Sequence, residues 1–189
     1  ALTLYAFSSQ NWARPPDEVA GLMELLREYL QSERAEIMQN GIRLHAIGEL
    51  DKLPRYVRDP LEALRAESAR NTGMTLTLAL SYGGREELVA GARALAEQVK
   101  AGQRSVDSID EQALGAALWS GSLPALDLLI RTSGEQRISN FMLWQCAYAE
   151  LMFVDAAFPD FRGAALCECL EKFQSRERRF GLTTAQLKR

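Results

Sequence analysis

The stretch Asp127–Glu150, DLLIRTSGEQRISNFMLWQCAYAE, decides the predicted fold because it places a polar cluster directly after a buried strand. Its beginning completes a short apolar run over residues 126–130, which is typical of a buried strand. Arg131, Arg137 and several hydroxyl side chains follow that run. In an open α/β sheet, ligands bind outside the carboxyl ends of the strands. The stretch therefore predicts a ligand site at the end of a strand.

The side chains of this cluster indicate the kind of ligand. The planar fork of arginine matches the oxygens of a phosphate in two parallel hydrogen bonds. Ser139 and Asn140 precede a helix-like apolar run, Phe141–Tyr148, and the N–H groups that begin a helix carry a partial positive charge. We therefore expect a diphosphate or carboxylate site. A second interpretation stays open, in which the arginines only pair with Glu135 and Asp127 in a solvated loop.

Length and composition predict one soluble globular domain. The chain has 189 residues, of which 47% are hydrophobic and 25% charged, and its net charge is −3. We expect no nucleic-acid partner, because a weakly acidic protein has no general affinity for polyanions. The cysteines Cys146, Cys167 and Cys169 lack C-x-x-C spacing, which favours a reducing, cytoplasmic setting. The sequence contains no run of 18 apolar residues, so it predicts no membrane span.

The chain opens on Ala1–Phe7, ALTLYAF, whose composition predicts a buried strand. A domain seldom begins within a strand and the first residue is not Met, so we expect an N-terminal part to be missing from the given sequence. A second polar cluster follows this strand, and a helix cap explains only its last residues, Pro16 and Asp17. Its other members are Ser8, Ser9, Gln10, Asn11, Trp12 and Arg14.

The rest of the chain alternates between strands and helices, which favours a mainly parallel sheet flanked by helices. We expect Gly41 to end the first helix in a left-handed conformation and the only histidine, His45, to be structural. Arg176, Arg178 and Arg179 are expected on a solvated face. Periodicity predicts strands at 42–47, 74–80 and 151–154, and helices at 17–40, 54–70, 85–100, 110–118 and 164–173.

One apolar stripe on the first helix has two interpretations. Its residues usually pack into a core, but a wide stripe on a long helix can also form the wall of an apolar ligand tunnel. The sequence has no nucleophile elbow, no metal-spaced His or Cys cluster and no dinucleotide fingerprint. The remaining features are arginines, hydroxyls, an amide and carboxylates at strand ends, beside apolar stripes. They suit a ligand with an anionic head and an apolar tail. The stripe contains Val19, Leu22, Met23, Leu26, Leu30 and Ile37.

Three segments, SSQNWARP, SYGGRE and IRTSGEQRISNFMLWQCAYAEL, resemble the cis-prenyltransferase family, and the resemblance runs from Ala1 to about Gly181. It implies an Mg²⁺-dependent transferase that adds isopentenyl diphosphate units to farnesyl diphosphate with cis double bonds. The implied product is undecaprenyl diphosphate, the lipid carrier for peptidoglycan synthesis. The resemblance also implies a single domain over residues 1–189 with an apolar tunnel, a homodimer, and peripheral membrane contact through the lipid product.

The resemblance also implies roles for individual residues. Asn11 would assist removal of a proton, and Glu150 would bind magnesium. Arg131, Arg137, Ile138 and Ser139 would bind isopentenyl diphosphate. The other substrate-binding residues would be Ser8, Ser9, Gln10, Trp12 and Arg14.

The sequence departs from the family pattern at several places. The family carries an M-D-G-N-G-R-W segment with an essential Asp before the position of Ala1, so we expect the given chain to lack its first strand and that catalytic segment. Gln10 stands where the family often has Glu, Gln136 where it often has His, and Ser133 where Gly is frequent. Two alternatives stay open: a non-catalytic partner subunit of a prenyltransferase heteromer, and an unrelated phosphate-binding α/β protein.

Overall fold

The computed structural model describes residues 1–176 and confirms the predicted α/β class. The chain divides into two compact units, Ala1–Pro124 and Ala125–Arg189, and every strand pair in the described residues is parallel. The prediction of one single domain therefore stays a prediction. Arg178 and Arg179, which were expected on a solvated face, lie outside the described residues. No helix within residues 1–176 combines the length and the apolar composition needed to cross a membrane.

The first unit contains a three-stranded parallel sheet in the order β1-β3-β2. Its strands are β1 (Leu2–Ser8), β2 (Arg43–Ile47) and β3 (Thr75–Tyr82), close to the predicted bounds. Register shifts near the end of β1 bring Ser8 opposite Tyr82. The carboxyl ends of β1 and β3 therefore meet at one edge of the sheet, where both are followed by polar residues.

Helices connect the strands of this unit as expected for parallel pairs. Pro16 begins α1 and two acidic residues occupy its first turn, which complements the positive end of the helix dipole. The helices are α1 (Pro16–Ser32), α2 (Arg34–Gln39), α3 (Arg55–Ser68), α4 (Gly84–Lys100) and α5 (Glu111–Ala117).

The first helix differs from its prediction in one respect. The expected single helix over 17–40 is divided into α1 and α2 at Glu33, although the backbone of Glu33 stays in the right-handed helical region. The predicted left-handed glycine is confirmed, since Gly41 has φ 62°. Gly48 has a different reason to be glycine: an added Cβ would lie 2.0 Å from the Leu80 carbonyl oxygen.

The apolar stripe of α1 and α2 packs into the core of the first unit. Met23, Leu30 and Ile37 are at most 6% exposed, and Val19, Leu22 and Leu26 are partly buried against the same cluster. Core packing, the usual interpretation of such a stripe, is confirmed, while the tunnel stays a prediction. The facing core residues come from β1, β2, β3 and α3 and include Phe7, Leu44, Ala46, Leu80, Val57, Leu61 and Leu64.

The second unit contains the parallel pair β4 (Leu128–Arg131) and β5 (Glu150–Phe153), followed by α6 (Gly163–Gln174). All three elements were predicted from periodicity. Ile130 lies opposite Met152 in the ladder, so the loop after β4 begins at the same edge as the residues after β5. The Arg131 carbonyl accepts the N–H of Val154 at 2.8 Å and continues the pairing beyond the strands.

The helix predicted over Phe141–Tyr148 is wrong. The segment forms turns that end in one short 3-10 helix, Gln145–Tyr148. Ser139, Asn140 and Met142 have φ between 46° and 63°, and left-handed residues cannot continue a right-handed α-helix. The proposed positive charge from a helix N-terminus at Ser139 and Asn140 is therefore absent from the described structure.

Candidate active site

The polar segment after β1 folds into a short 3-10 helix, Ser9–Ala13, with reciprocal capping. The backbone N–H of Asn11 donates to the Ser8 hydroxyl at 3.2 Å, and the backbone N–H of Ser8 donates to Oδ1 of Asn11 at 2.8 Å. The two bonds satisfy N–H groups that the start of a helix would leave unpaired. They also fix the orientation of the Asn11 amide, the predicted catalytic group.

Trp12 ties the same segment to the end of β3. Its indole N–H donates to the Ser81 hydroxyl at 2.8 Å, and its ring meets Phe7 edge-on with centroids 4.9 Å apart. Ser81 is fully buried and has φ 48°, a left-handed conformation that costs energy in a non-glycine residue. Such strain persists where the surroundings impose it, often at functional sites. Ser81 was not among the predicted site residues, although the SYGGRE motif contains it.

Ser9 and Gln10 share a further partner on α4. The Ser9 hydroxyl donates to Oε1 of Glu86 at 3.0 Å, and the Gln10 side-chain N–H donates to the same oxygen at 3.1 Å. Sequence reasoning assigned no role to Glu86. The only available signal was its place in SYGGRE, because the contact joins residues 76 and 77 positions apart.

A buried carboxylate lies one residue further along α4. Glu87 is 1% exposed and accepts hydrogen bonds from the Tyr82 hydroxyl at 2.6 Å and the Ser120 backbone N–H at 2.9 Å. The Tyr82 ring also packs edge-on against Trp119. These contacts fasten residues 119–120 to the end of β3, which makes Glu87 a structural anchor of this edge.

A pocket of about 340 Å³ opens beside Trp12. Most of its lining is apolar, from residues such as Val19 and Met23, whereas Arg14 supplies a cation. Arg14 pairs with Glu18 at 2.7 Å, and both side chains are about half exposed. Apolar walls next to a guanidinium suit an amphiphilic anion, the ligand type expected from the sequence.

In the second unit, the predicted arginine cluster is partly assembled. Nη1 of Arg131 donates to the Ser139 hydroxyl at 2.9 Å, which joins two predicted substrate-binding residues. Arg137 pairs with Glu135, as the solvated-loop interpretation expected, and its side chain remains 64% exposed. The Ile138 carbonyl accepts the N–H of Phe141 at 3.0 Å and closes a turn.

Backbone hydrogen bonds hold the loop after β4 in place. The N–H of Ser133 donates to the Ala156 carbonyl at 2.8 Å, and the N–H of Gly134 donates to the Val154 carbonyl at 2.9 Å. Ser133 and Gly134 have φ 68° and 67°, so Ser133 adopts a conformation that glycine adopts more readily.

Cys146 lies in the turn region before β5 and is not suited to nucleophilic chemistry. Burial raises the pKa of its thiol, and the thiol lies 3.8 Å from the Phe141 carbonyl oxygen. A neutral, half-buried thiol is a packing group, because the thiolate is the reactive form.

Glu150, the predicted metal ligand, is the first residue of β5. Its Oε2 lies 2.5 Å from Nη1 of Arg176, and its side chain is 26% exposed. No group of three His, Cys, Asp or Glu side chains in residues 1–176 is arranged to hold a metal ion. Because Mg²⁺ commonly uses one or two carboxylates plus substrate phosphates, a single carboxylate fits this metal in the presence of a diphosphate.

The predicted residues thus form two groups. The group from Ser8 to Arg14 lies in the first unit, where it contacts Ser81 and Glu86. The group from Arg131 to Glu150 lies in the second unit. Parallel strands with polar loops at their carboxyl ends, exposed arginines and an apolar pocket define an α/β protein that suits a phosphorylated apolar ligand.

The comparisons with known proteins define the family. The model of the prenyltransferase family described as putative undecaprenyl diphosphate synthase matches residues 1–181. The chain therefore belongs to this family, as the three sequence segments predicted.

Two curated relatives and one solved structure illustrate the similarity. A ditrans,polycis-undecaprenyl-diphosphate synthase of Salmonella paratyphi A, described as (2E,6E)-farnesyl-diphosphate specific, is 49% identical over 183 residues, 97% of this chain and 73% of its own length. An isoprenyl transferase of Clostridium perfringens is 46% identical over 95% of this chain and 71% of its own length. Lavandulyl diphosphate synthase of Lavandula x intermedia, solved with dimethylallyl diphosphate, has a TM-score of 0.92 and 40% identity, covering 95% of this chain and 78% of its own.

Proposed function

We propose that this prenyltransferase condenses isopentenyl diphosphate onto farnesyl diphosphate with cis double bonds and elongates the product toward undecaprenyl diphosphate. The observation that carries the proposal is the loop after β4, where Arg131 contacts Ser139 and Arg137 stays largely exposed. The name of the Salmonella relative specifies farnesyl diphosphate as the substrate of that protein and supports the same acceptor here.

The two arginines supply the charge that a diphosphate needs. The Ser139 hydroxyl holds the Arg131 guanidinium in one orientation, so less freedom is lost when the ligand binds. Arg137 must leave Glu135 to reach the ligand. An exposed ion pair contributes only about 0–1 kcal/mol, so this exchange costs little compared with a charge-assisted bond to phosphate.

The pocket beside Trp12 suits the apolar part of the acceptor. Val19, Met23 and Pro54 offer hydrocarbon surface, and Arg14 lies at the same pocket. Each CH₂ group that leaves water contributes about 0.8 kcal/mol, so the chain of farnesyl diphosphate gains several kcal/mol from such a wall.

The remaining groups serve the bond-forming step. Loss of the acceptor's diphosphate leaves a cation-like allylic carbon, and Mg²⁺ would neutralise the departing group when bound. Glu150 would hold that ion once it releases Arg176. The guanidinium groups of Arg131 and Arg137 would bind the incoming diphosphate and so position its alkene for attack. In each condensation the attacking alkene becomes a cation that loses one proton, which the departing diphosphate can accept, and Asn11, whose amide oxygen accepts the Ser8 N–H, assists this transfer.

The proposal includes a homodimer, a cytoplasmic location and peripheral membrane contact through the lipid product. Exposed aromatic side chains of the second unit support self-association, since Tyr148 and Phe158 are 69% and 64% exposed. Large exposed apolar groups often mark protein interfaces. The cytoplasmic location is supported by cysteines that form no disulfide in the described residues.

The test is incorporation of radiolabelled isopentenyl diphosphate by the polypeptide as the cell produces it. We expect label to enter a butanol-extractable product only when farnesyl diphosphate and Mg²⁺ are both present, and EDTA should abolish it. Tight binding of farnesyl diphosphate without incorporation would instead indicate a non-catalytic partner subunit. Binding of inorganic diphosphate as tight as that of farnesyl diphosphate would favour an unrelated phosphate-binding protein.

A further inference from the structure

Gln10 and Glu86 form a matched pair at the end of the first sheet. The side-chain amide of Gln10 donates to Oε1 of Glu86 at 3.1 Å. The Ser9 hydroxyl donates to the same oxygen at 3.0 Å. Two consecutive residues of the 3-10 segment therefore converge on one carboxylate from another element.

We propose that Glu86 is a positioning residue that latches the segment Ser8–Arg14 to α4, and that the amide at Gln10 is specified by this carboxylate. The kinetic part of the proposal rests on the proposed function, because its readout is the condensation reaction. Glu86 acts through Ser9 and Gln10 rather than on the reacting atoms.

The chemistry of the three side chains carries the inference. An ionised carboxylate only accepts hydrogen bonds, and both a serine hydroxyl and a glutamine amide can donate. A glutamate at position 10 would bring a second acceptor to within hydrogen-bond distance of Oε1, and two carboxylates at that separation repel each other. The amide removes the repulsion and adds a charge-assisted hydrogen bond. The carboxylate of Glu86 thus accounts for an amide, rather than a second acid, at position 10.

The latch supports groups with a proposed role in catalysis. Ser9 and Gln10 precede Asn11 and Trp12 directly, and the other end of the segment is tied to β3 through the bond between Trp12 and Ser81. Glu86 therefore fixes the first half of the segment and Ser81 the second. Loss of the latch should let the Asn11 amide depart from its productive orientation without removing any group from the site.

Glu86 could also have a simpler role, stabilisation of the start of α4, and experiment can distinguish that role from the latch. Glu86 lies in the first turn of α4, where any acid is favourable because of the helix dipole. That role requires no contact with residue 9 or 10, and it predicts that a change at Glu86 affects α4 alone. Measurements on the segment 8–14 therefore distinguish the latch from a helix-end effect.

The kinetic experiment uses reciprocal substitutions. Gln10→Glu and Glu86→Ala should each lower kcat by roughly three- to tenfold with little change in KM. This loss is smaller than that of a buried hydrogen bond to a charged group because the contact is partly exposed. The double variant Gln10→Glu/Glu86→Gln restores one donor and one carboxylate in exchanged positions and should recover most of the loss. Glu97→Gln, an exposed acid elsewhere on α4, should behave as wild type.

Hydrogen–deuterium exchange of the ligand-free protein provides a second readout that needs no activity. Glu86→Ala should speed exchange of backbone amides in residues 9–14, whereas Glu97→Ala should not. Unchanged exchange there, or a double variant that is as impaired as Gln10→Glu alone, would overturn the latch. If the wild-type protein catalyses no condensation, the proposed function fails and the exchange measurement still decides on the latch.

Discussion

Arg137 offers the most direct test at the scale of single residues. Its guanidinium is exposed and paired only with a nearby acid among the contacts described, so it is accessible to a ligand. Arg137→Ala should raise KM for isopentenyl diphosphate far more than KM for farnesyl diphosphate, since one charge-assisted contact contributes about 1.5–3 kcal/mol. Steady-state kinetics with each substrate varied in turn measures both constants.

Arg162→Ala is the matched control for this substitution, because Arg162 is an exposed arginine of the same unit outside the loop. It should leave both constants unchanged. If Arg137→Ala raised KM for both substrates equally, the assignment of Arg137 to the isopentenyl diphosphate site would be wrong.

The proposed metal ligand Glu150 makes a second prediction. Glu150→Gln keeps the shape of the side chain and removes the charge, so the Mg²⁺ concentration needed for half-maximal activity should rise and the maximal rate should fall. The lost pair with Arg176 should cost about 1 kcal/mol or less, which corresponds to about 2–4 °C in melting temperature. Magnesium titrations and thermal melts of the same samples check both effects.

Glu168→Gln serves as the control, because Glu168 pairs with Lys172 on the exposed surface of α6. It should alter neither the magnesium dependence nor the rate. A large fall in the melting temperature of Glu150→Gln with an unchanged magnesium dependence would instead make Glu150 a structural carboxylate.

His45 predicts how stability depends on pH. Burial, together with Arg65 and Arg43, lowers the pKa of His45 in the folded protein, and no partner for its buried Nδ1 is found in the described residues. The unfolded chain, with a histidine pKa of about 6.5, then binds more protons than the folded chain in this range. Stability is therefore lost as pH falls through about 6.5 toward the lower folded pKa.

Urea denaturation at pH 7.5 and 5.5 measures this contribution. The free energy of unfolding of the wild type should fall between the two pH values, and His45→Gln should show a smaller fall. His45 is the only histidine of the chain, so the difference between the two proteins isolates it. Identical pH dependence in both would contradict the assigned direction of the pKa shift.

At the scale of elements, the stripe of α1 and the amino end of β3 make the tunnel testable. Met74 directly precedes β3, at the end opposite Ser81, and its side chain is 45% exposed. If an apolar tunnel follows the strand, Met74→Ala lengthens the products, and Leu26→Trp on α1 shortens them. Leu76, two residues further along the chain, is the second candidate for the closed end of such a tunnel. Radiolabelled products separated by chain length, with melting curves of the same samples, check this expectation.

Plain core packing would give a different result for these substitutions. Added or removed volume in a close-packed core lowers stability and activity together. Unchanged product length in well-folded Met74→Ala and Leu26→Trp proteins would exclude the tunnel from these positions.

Strands and most helices were predictable because their signals are local. Apolar runs located β4 and β5, and three- and four-residue spacing located α1 and α4. The turn region after β4 was not predictable, since Ser139, Asn140 and Met142 adopt left-handed conformations that residues other than glycine rarely take. The apolar run Phe141–Tyr148 resembles a helix in sequence, but these backbone conformations prevent a continuous helix.

The same distinction between local and distant signals applies to the candidate site. The arginines and hydroxyls were predictable because they follow a strand directly in the sequence. Ser81 and Glu86 were not, because each contacts a residue of the segment 9–12 that is at least 69 positions away in the sequence. Only the folded sheet, which aligns the ends of β1 and β3, brings these side chains together.

At the scale of the whole molecule, self-association is the next prediction. The exposed aromatic side chains of the second unit, among them Tyr148 and Phe158, would be covered in a dimer. Sedimentation at micromolar concentration should give at least twice the 21.1 kDa mass of the chain. Tyr148→Glu should shift the protein toward monomer, whereas Val106→Glu, an exposed apolar site of the first unit, should not. A persistent wild-type monomer would refute the dimer.

The central claim is that the loop with Arg131 and Arg137 and the segment with Asn11 and Trp12 serve cis elongation of an isoprenoid diphosphate. The most direct measurement is the structure of the product made from farnesyl diphosphate and ¹³C-labelled isopentenyl diphosphate in the presence of Mg²⁺. We expect a long polyprenyl diphosphate in which NMR shows every newly formed double bond to be cis. Newly formed double bonds that are trans, or no product at all from the well-folded polypeptide as the cell produces it when both substrates are supplied, would contradict cis elongation.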